Sequence, residues 1–385
     1  VPFRWSVDVS WIAIRMLTGD RVKFFGLVFG VAFSALLITQ QLTIFVNLLM
    51  RGGIAVEQVE NANIWVMDRS GRTIDATLPM PATALERVRG VPGVEWAVPM
   101  LRSGATVRTA QGELEPVVVI GVDDATLIGL PRTMLEGNRQ ALAGPDAVFI
   151  DDVGSRKLFP DGNVIGTRLE LNDQRAIISG IVDANPTFTG TVILYTRYSN
   201  ALNFLPGSRN RLSFVVTRSA PGEDPRVVAD RIEAATGLRA RTSAEFARDG
   251  VNFIIENTGI PINFGITVAL GVVVGIAIVG LTFSLFIRDN IKQFGALKAI
   301  GVTNAKIRGM VAVQAAMVGL IGYGIGVFLA TMFIVSGSGN DTFKGFFIPW
   351  QIPVISAVAV IVMILLTGVV ALRSVLKTEP AEVFR

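Results

Sequence analysis

The sequence predicts a membrane α-helical protein with four transmembrane helices and an extracytoplasmic α+β domain inserted between helices 1 and 2. Three observations carry this reading. Charged residues make up 17% of the 385 residues, against about 25% in a soluble globular chain, and the mean hydropathy is +0.53. The deficit sits in four stretches without a charge: Phe24–Met50, Asn257–Ile287, Gly309–Asn340 and Gly345–Leu372. Each exceeds the ~20 apolar residues that cross a bilayer as a helix. Lys and Arg crowd the segments beside the spans, while the long stretch 51–262 is slightly acidic and holds one Lys, Lys157.

In order, residues 1–23 form a cytoplasmic amphipathic helix, with Phe3, Val7, Trp11, Ile14 and Leu17 at helical spacing and Trp5 and Trp11 at headgroup depth. Thr18-Gly19-Asp20 turns into transmembrane helix 1, residues 24–50. That run is longer than the ~7–15 residue core of a signal peptide and lacks a small-residue cleavage site, so it is expected to be retained. Residues 51–260 form the outer domain, with strands from β-branched density and helices over Ala82–Arg89 and Pro225–Ala235. A two-part α+β portion, about 60–122 and 185–245, flanks a β-rich insert, about 123–184. Transmembrane helix 2 covers 261–287, a cytoplasmic segment 288–308, helix 3 309–335, a short outer turn 336–348, helix 4 349–372, and a cytoplasmic tail 373–385. The excess of Lys and Arg at the N-terminus, in 288–308 and at the C-terminus predicts that these three face the cytoplasm.

Composition excludes several chemistries. Without Cys there is no disulfide or thiolate site, and without His the commonest general base and metal ligand is missing. No catalytic residue and no metal site is predicted. The spans contain no Asp, Glu, Lys or Arg, which argues against an ion or proton pathway. The basic residues flank spans, so nucleic acid is not a predicted partner and the lipid bilayer is. Gly319–Gly326 is glycine-rich but lies inside a span, not in a phosphate loop. Small residues at four-residue spacing mark transmembrane packing: Gly26, Gly30 and Ser34 in helix 1, Gly271 and Gly275 in helix 2, Gly322 and Gly326 in helix 3. The helix 1 ridge is the expected seam with a second copy of the chain.

The segment between helices 2 and 3 is the most specific feature. It runs Arg288-Asp-Asn-Ile-Lys292-Gln293-Phe294-Gly295-Ala296-Leu297-Lys298-Ala299-Ile300-Gly301-Val-Thr303-Asn304-Ala-Lys306-Ile-Arg308. Gly301 is suited to stopping one helix and Thr303 to capping the next. The segment resembles the coupling loop of the MacB/FtsX-like ABC transporter permease family, approximately R-x-x-x-K-E-x-G-x-L-[RK]-A-x-G-A/V. Span three, from Gln314, and the closing Leu372–Arg385, with Glu379-Pro380-Ala381-Glu382, are similar to that family too, as are Val91–Pro99, Asp152–Phe159 and Gly162–Gly180 in the outer domain. Gln293 and Gln314 depart from the family's Glu. The loop phrase and Gln40-Gln41 look most like the DevC-like branch.

The resemblance implies a non-catalytic permease subunit of an ATP-driven ABC exporter in the bacterial inner membrane, with its large domain in the periplasm. It implies mechanotransmission from two copies of an ABC ATPase subunit, which bind ATP and Mg, and a homodimer of this chain. It also implies a periplasmic membrane-fusion protein and an outer-membrane channel. No G-x-x-x-x-G-K-[ST] occurs, so the nucleotide site is expected on another chain. A Lol-type lipoprotein-releasing permease and an FtsX-like transmembrane signalling subunit share the topology and are the alternatives.

Overall fold

The structure is a computed structural model that describes residues 9–109, 112–160, 162, 164–185, 190–337 and 341–377. Phe3, Trp5, Val7 and the closing Glu379–Arg385 lie outside the described residues. The chain divides into two units. One is helical: residues 1–46, 259–339 and 346–385. The other comprises residues 47–258 together with 340–345.

The helical unit holds α1 (Val9–Gly19), the first part of α2 (Arg21–Glu57), α8 (Ile260–Asp289), α9 (Ile291–Ala299), α10 (Asn304–Gly337) and α11 (Gln351–Lys377). Among the described residues, α2, α8, α10 and α11 are long and apolar enough to cross a membrane. Their outward faces carry Ile266, Leu270, Leu281, Leu320, Phe328 and Leu365, all more than half exposed. Exposed apolar surface of that extent suits hydrocarbon rather than water.

Small residues set the packing of this unit. A β-carbon built on Gly30 of α2 would lie 2.7 Å from Ile278 of α8 and 3.1 Å from Val279. One on Gly322 of α10 would lie 2.7 Å from Val31, and one on Gly326 would lie 2.6 Å from Ala35. Gly26 faces Thr282, and Gly271 faces Leu37. A β-carbon on Gly275 would overlap Ser34, whose hydroxyl donates to the Gly271 carbonyl at 3.1 Å. The helix 1 ridge is therefore occupied by α8 of the same chain, while neighbouring residues of α2 take the α10 glycines. The ridge expected at the seam between two copies thus also has an intrachain role, since the small residues of α8 and α10 complement α2 directly.

α1 packs one face on the helical unit and leaves another exposed. Ala13 and Leu17 are fully buried in the core of the helical unit, whereas Trp11 is 59% exposed with the Arg15 guanidinium 5.0 Å from its ring centre. Asp20 begins α2, its carboxylate accepting from the Lys23 N–H at 3.2 Å.

The inserted domain is built on a ten-stranded sheet. Its elements are β1 (Ile64–Met67), β2 (Met80–Pro81), α3 (Ala84–Arg89), β3 (Val94–Arg108), β4 (Leu114–Val122), β5 (Met134–Gly137), β6 (Ala147–Asp151), α4 (Asp152–Leu158), β7 (Arg168–Leu171), β8 (Gln174–Val182), β9 (Val192–Arg197), α5 (Tyr198–Phe204), β10 (Arg211–Leu212), β11 (Phe214–Ser219), α6 (Pro225–Thr236), β12 (Arg239–Thr242) and α7 (Ser243–Asn257). The order is β12-β1-β11-β3-β4-β9-β6-β8-β5, with β7 pairing β3 and β8.

The long strand β3 joins two lobes. Its first half pairs with β11, Met100 opposite Phe214, and its second half pairs with β4, Leu101 opposite Gly121. β4 runs parallel to β9, Val117 opposite Val192. β4 and β9 thus belong with the β-rich lobe, whose boundaries fall near 101 and 211 rather than at 123 and 184. β1 is buried on both sides: Ile64 and Val66 face α3 and α6, while Trp65 and Met67 share a core with Phe214, Phe246 of α7 and Val56 of α2.

Candidate functional site

The predicted coupling segment is a small helical unit of its own. α8 ends at Asp289, and the Asn290 side chain folds back to donate to the Phe286 carbonyl at 2.8 Å. The Asn290 carbonyl accepts from the Phe294 N–H at 3.0 Å, the first turn of α9. Phe294 is the anchor. It is 1% exposed and packs in one core with Phe286, Ile287, Leu17 and Ile307.

The end of α9 is a Schellman motif. Gly301 has φ +93°, its N–H bonds the Lys298 carbonyl at 3.0 Å, and the Val302 N–H bonds the Leu297 carbonyl at 3.0 Å. Leu297 and Val302 pack on the same core, the apolar contact that accompanies this motif. Thr303 then opens α10, its carbonyl accepting from the Ile307 N–H at 3.1 Å. Gly301 supplies the left-handed turn. Gly295 does not: it is buried within α9, where it serves packing.

With Phe294, Gly295 and Ile307 inward, the outward face is defined. Arg288, Lys292, Gln293, Ala296, Ala299, Ile300, Gly301, Thr303, Asn304, Lys306 and Arg308 are exposed, and Lys298 is half-buried. Ile300, at 79% exposure, is the most exposed apolar side chain on this segment. Gln293 also lines a depression of about 550 Å³ with Trp11, Arg15, Asp20 and Asp289. Two interactions hold this base together. The Lys23 ammonium bridges Asp20, at 2.6 Å, and Asp289 at the end of α8. Gln314, fully buried, donates from Nε2 to the Ala13 carbonyl at 2.9 Å and so ties α10 to α1, while its Oε1 has no partner.

Gln314 stands where the family resemblance has Glu, and its position explains the amide: it presents N–H to a carbonyl, which a carboxylate does not. Ile300 belongs to the coupling segment read from sequence, whereas Trp11 and Gln314, which border or brace it in the fold, were not assigned to that surface. Among the described residues no group of three or more Asp or Glu side chains is arranged to hold a metal ion.

An α-helical membrane unit that carries an α+β domain between its first two spans, and a short anchored helix between the next two, defines a class of membrane transport subunit. A family model of the MacB-like periplasmic core domain matches residues 24–235, and one of the FtsX-like permease C-terminal region matches residues 265–380. The chain belongs to the MacB/FtsX-like ABC permease family. It is 24% identical over 317 residues to the macrolide export ATP-binding/permease protein MacB of Agrobacterium fabrum (strain C58 / ATCC 33970), a match covering 79% of this chain and 48% of that protein. The chain thus spans about half the length of that relative. The periplasmic region of MacB from Actinobacillus actinomycetemcomitans is similar at 14% identity and TM-score 0.39, over 53% of this chain and 96% of that one. The extracellular domain of the noncanonic ABC-type transporter YknZ from Gram-positive bacteria is similar at 16% identity and TM-score 0.35, over 47% of this chain and 98% of that one.

Proposed function

We propose that this chain is the membrane subunit of an ATP-driven exporter that works by mechanotransmission. The observation that carries the reading is the pinned, outward-facing α9. Phe294 fixes it to the ends of α8 and α10, so a push on its exposed face moves those helices rather than α9 alone. ATPase modules outside these residues bind ATP and Mg and supply that push. α2 and α8, each continuous in sequence with the inserted domain, carry it outward. A second copy of the chain completes the assembly, with a periplasmic membrane-fusion protein and an outer-membrane channel beyond. The basic ends face the cytoplasm and the inserted domain faces the periplasm of the bacterial inner membrane. The macrolide-export role of the MacB relative makes small amphipathic molecules the first substrates to test.

The test is Gly301→Val against Gly301→Asn. A β-branched side chain at φ +93° is strained whatever the free space, by about 1–2 kcal/mol, whereas Asn tolerates the left-handed region. Valine is expected to separate ATP hydrolysis from export, and asparagine to retain coupling, at equal membrane insertion. Export at the wild-type rate by both variants removes the coupling role of this segment.

A further inference from the structure

Within the connection between α10 and α11, residues 341–345 belong to the inserted domain, not to the helical unit that flanks them in sequence. Charge holds it there. The Lys344 ammonium reaches three oxygens of the domain: Asp152 Oδ1, Asp183 Oδ1 at 2.7 Å and the Ala184 carbonyl at 3.0 Å. The Lys344 carbonyl in turn accepts from the Arg51 guanidinium at 3.1 Å. Arg156 of α4 donates to Asp341 from Nε at 2.9 Å and from Nη2 at 2.6 Å, and also contacts Asp152 at 3.3 Å. The Lys344 side chain is 20% exposed and that of Asp152 is 10% exposed. Gly345, at φ +77°, then turns the chain away.

This arrangement has few rivals for the same role within residues 341–345. Asp341 and Lys344 are the charged residues of the turn, and both are engaged by domain residues of opposite sign. A turn that only closed a helical hairpin needs no such partners. α10 begins at Asn304, directly after the Gly301 turn of α9, and runs unbroken to Gly337. The latch begins at Asp341, so only a few residues of chain separate a continuous helix from a charge-locked part of the domain.

We infer that the α10–α11 turn is a strap latched to the extracytoplasmic domain through Lys344, and that α10 is a third mechanical connection to that domain beside α2 and α8. The transmission half of this inference rests on the coupling role proposed for α9. The latch half does not. α9 then drives two rods, backwards through α8 and forwards through α10, and both end in the same domain. Release of the latch leaves the other two connections intact but removes one of the two that start at α9.

The experiment uses the full chain in lipid nanodiscs, as wild type, as Lys344→Glu, and as Lys344→Glu combined with Asp183→Lys. Hydrogen exchange of 341–345 reads the latch. A fluorophore on a cysteine introduced at Ala235, exposed on α6 of a chain without Cys, reads ATP-driven movement when the ATPase is bound. Lys344→Glu is expected to raise exchange in the turn about tenfold and to cut the ATP-driven signal roughly twofold, since α2 and α8 remain. The charge swap restores both. Unchanged exchange in Lys344→Glu overturns the latch. Raised exchange with a full ATP-driven signal overturns α10 as a connection. A wild type with no ATP-driven signal refutes the coupling role of α9 and with it the transmission half, while exchange still decides the latch.

Discussion

Gly52 of α2 and Gly250 of α7 bring two helix backbones into direct contact. A β-carbon on Gly250 would overlap the Gly52 carbonyl oxygen, and one on Gly52 would lie 3.1 Å from the Gly250 oxygen. Next to them, a β-carbon on Gly53 would lie 2.8 Å from the Ala247 carbonyl oxygen. The partners are backbone atoms, which cannot swing aside. The crossing therefore fixes how the end of α2 seats on the inserted domain, and it places Val56 and Val59 in the same core as Trp65 and Phe246.

Gly250→Val is predicted to force α2 and α7 apart and to destabilise the inserted domain by about 1–3 kcal/mol, the usual cost of overpacking. Thermal denaturation of the purified chain, followed by tryptophan fluorescence, measures it. A melting temperature equal to wild type means the helices separate without cost.

Gly30→Leu is predicted to weaken the helical unit itself, because the new side chain meets Ile278 and Val279 of the same chain. The cost is again about 1–3 kcal/mol. Gly324→Leu is the control, since a β-carbon there meets nothing within 4 Å. Melting in detergent, with the oligomeric state recorded in parallel, separates the two roles of the ridge. Loss of self-association at unchanged melting would return Gly30 to an interface between copies.

Gln314→Glu is predicted to loosen α1 from α10. The amide N–H that binds the Ala13 carbonyl disappears, and an acceptor is left buried against an acceptor, a change worth about 1–3 kcal/mol. Hydrogen exchange across α1 should rise while exchange in α6 stays constant. If α1 is equally protected in the variant, its buried Ala13 and Leu17 hold it without the amide.

Asp151 predicts a pH dependence of the inserted domain. Burial pushes its carboxyl up to about 6, with Asp152 adding to the rise; the N–H groups of Ile193, at 2.8 Å, and Gly154, at 3.2 Å, and the nearby Lys344 pull the other way. A carboxyl raised in the fold binds its proton more tightly there than in the unfolded chain, where it titrates near ~3.9. Its contribution is therefore fully present below about pH 4 and is lost as pH rises through about 6, of order 2–3 kcal/mol in all. Asp151→Asn should flatten stability against pH across that window relative to wild type, in denaturant melts at several pH values. Parallel profiles for the two chains would show that Asp151 does not titrate there.

Much of the fold was legible because its signals are local. The four spans follow from unbroken runs without charge, and α6 from Pro225 and Gly237, which the structure places at the first helical position and in a left-handed cap at φ +69°. Gly301 was readable for the same reason: a turn with positive φ leaves few residue types. One local signal was present and passed over. Thr242-Ser-Ala-Glu245 is a capping box, with the Thr242 hydroxyl accepting from the Glu245 N–H at 3.3 Å and Glu245 accepting from the Thr242 N–H at 3.1 Å, and it announces α7.

The end of β3 was legible over Ala105–Thr109, but its first part was hidden because Pro99 and Gly104 interrupt the sequence pattern, although Pro99 pairs in register with Val215. Where that strand changes partner, at Met100 and Leu101, depends on β11 and β4, which lie far apart in the chain. The sequence alone determined which segments are apolar enough for a bilayer, where the basic residues lie and where helices must stop, since each depends on neighbouring residues. Only the tertiary structure decided that the Gly30 ridge is filled from α8, that Gly52 meets Gly250, and that Lys344 is held by Asp152 and Asp183. A small side chain permits close approach and a charge permits pairing, but neither names its partner; that choice is made by packing between residues distant in sequence.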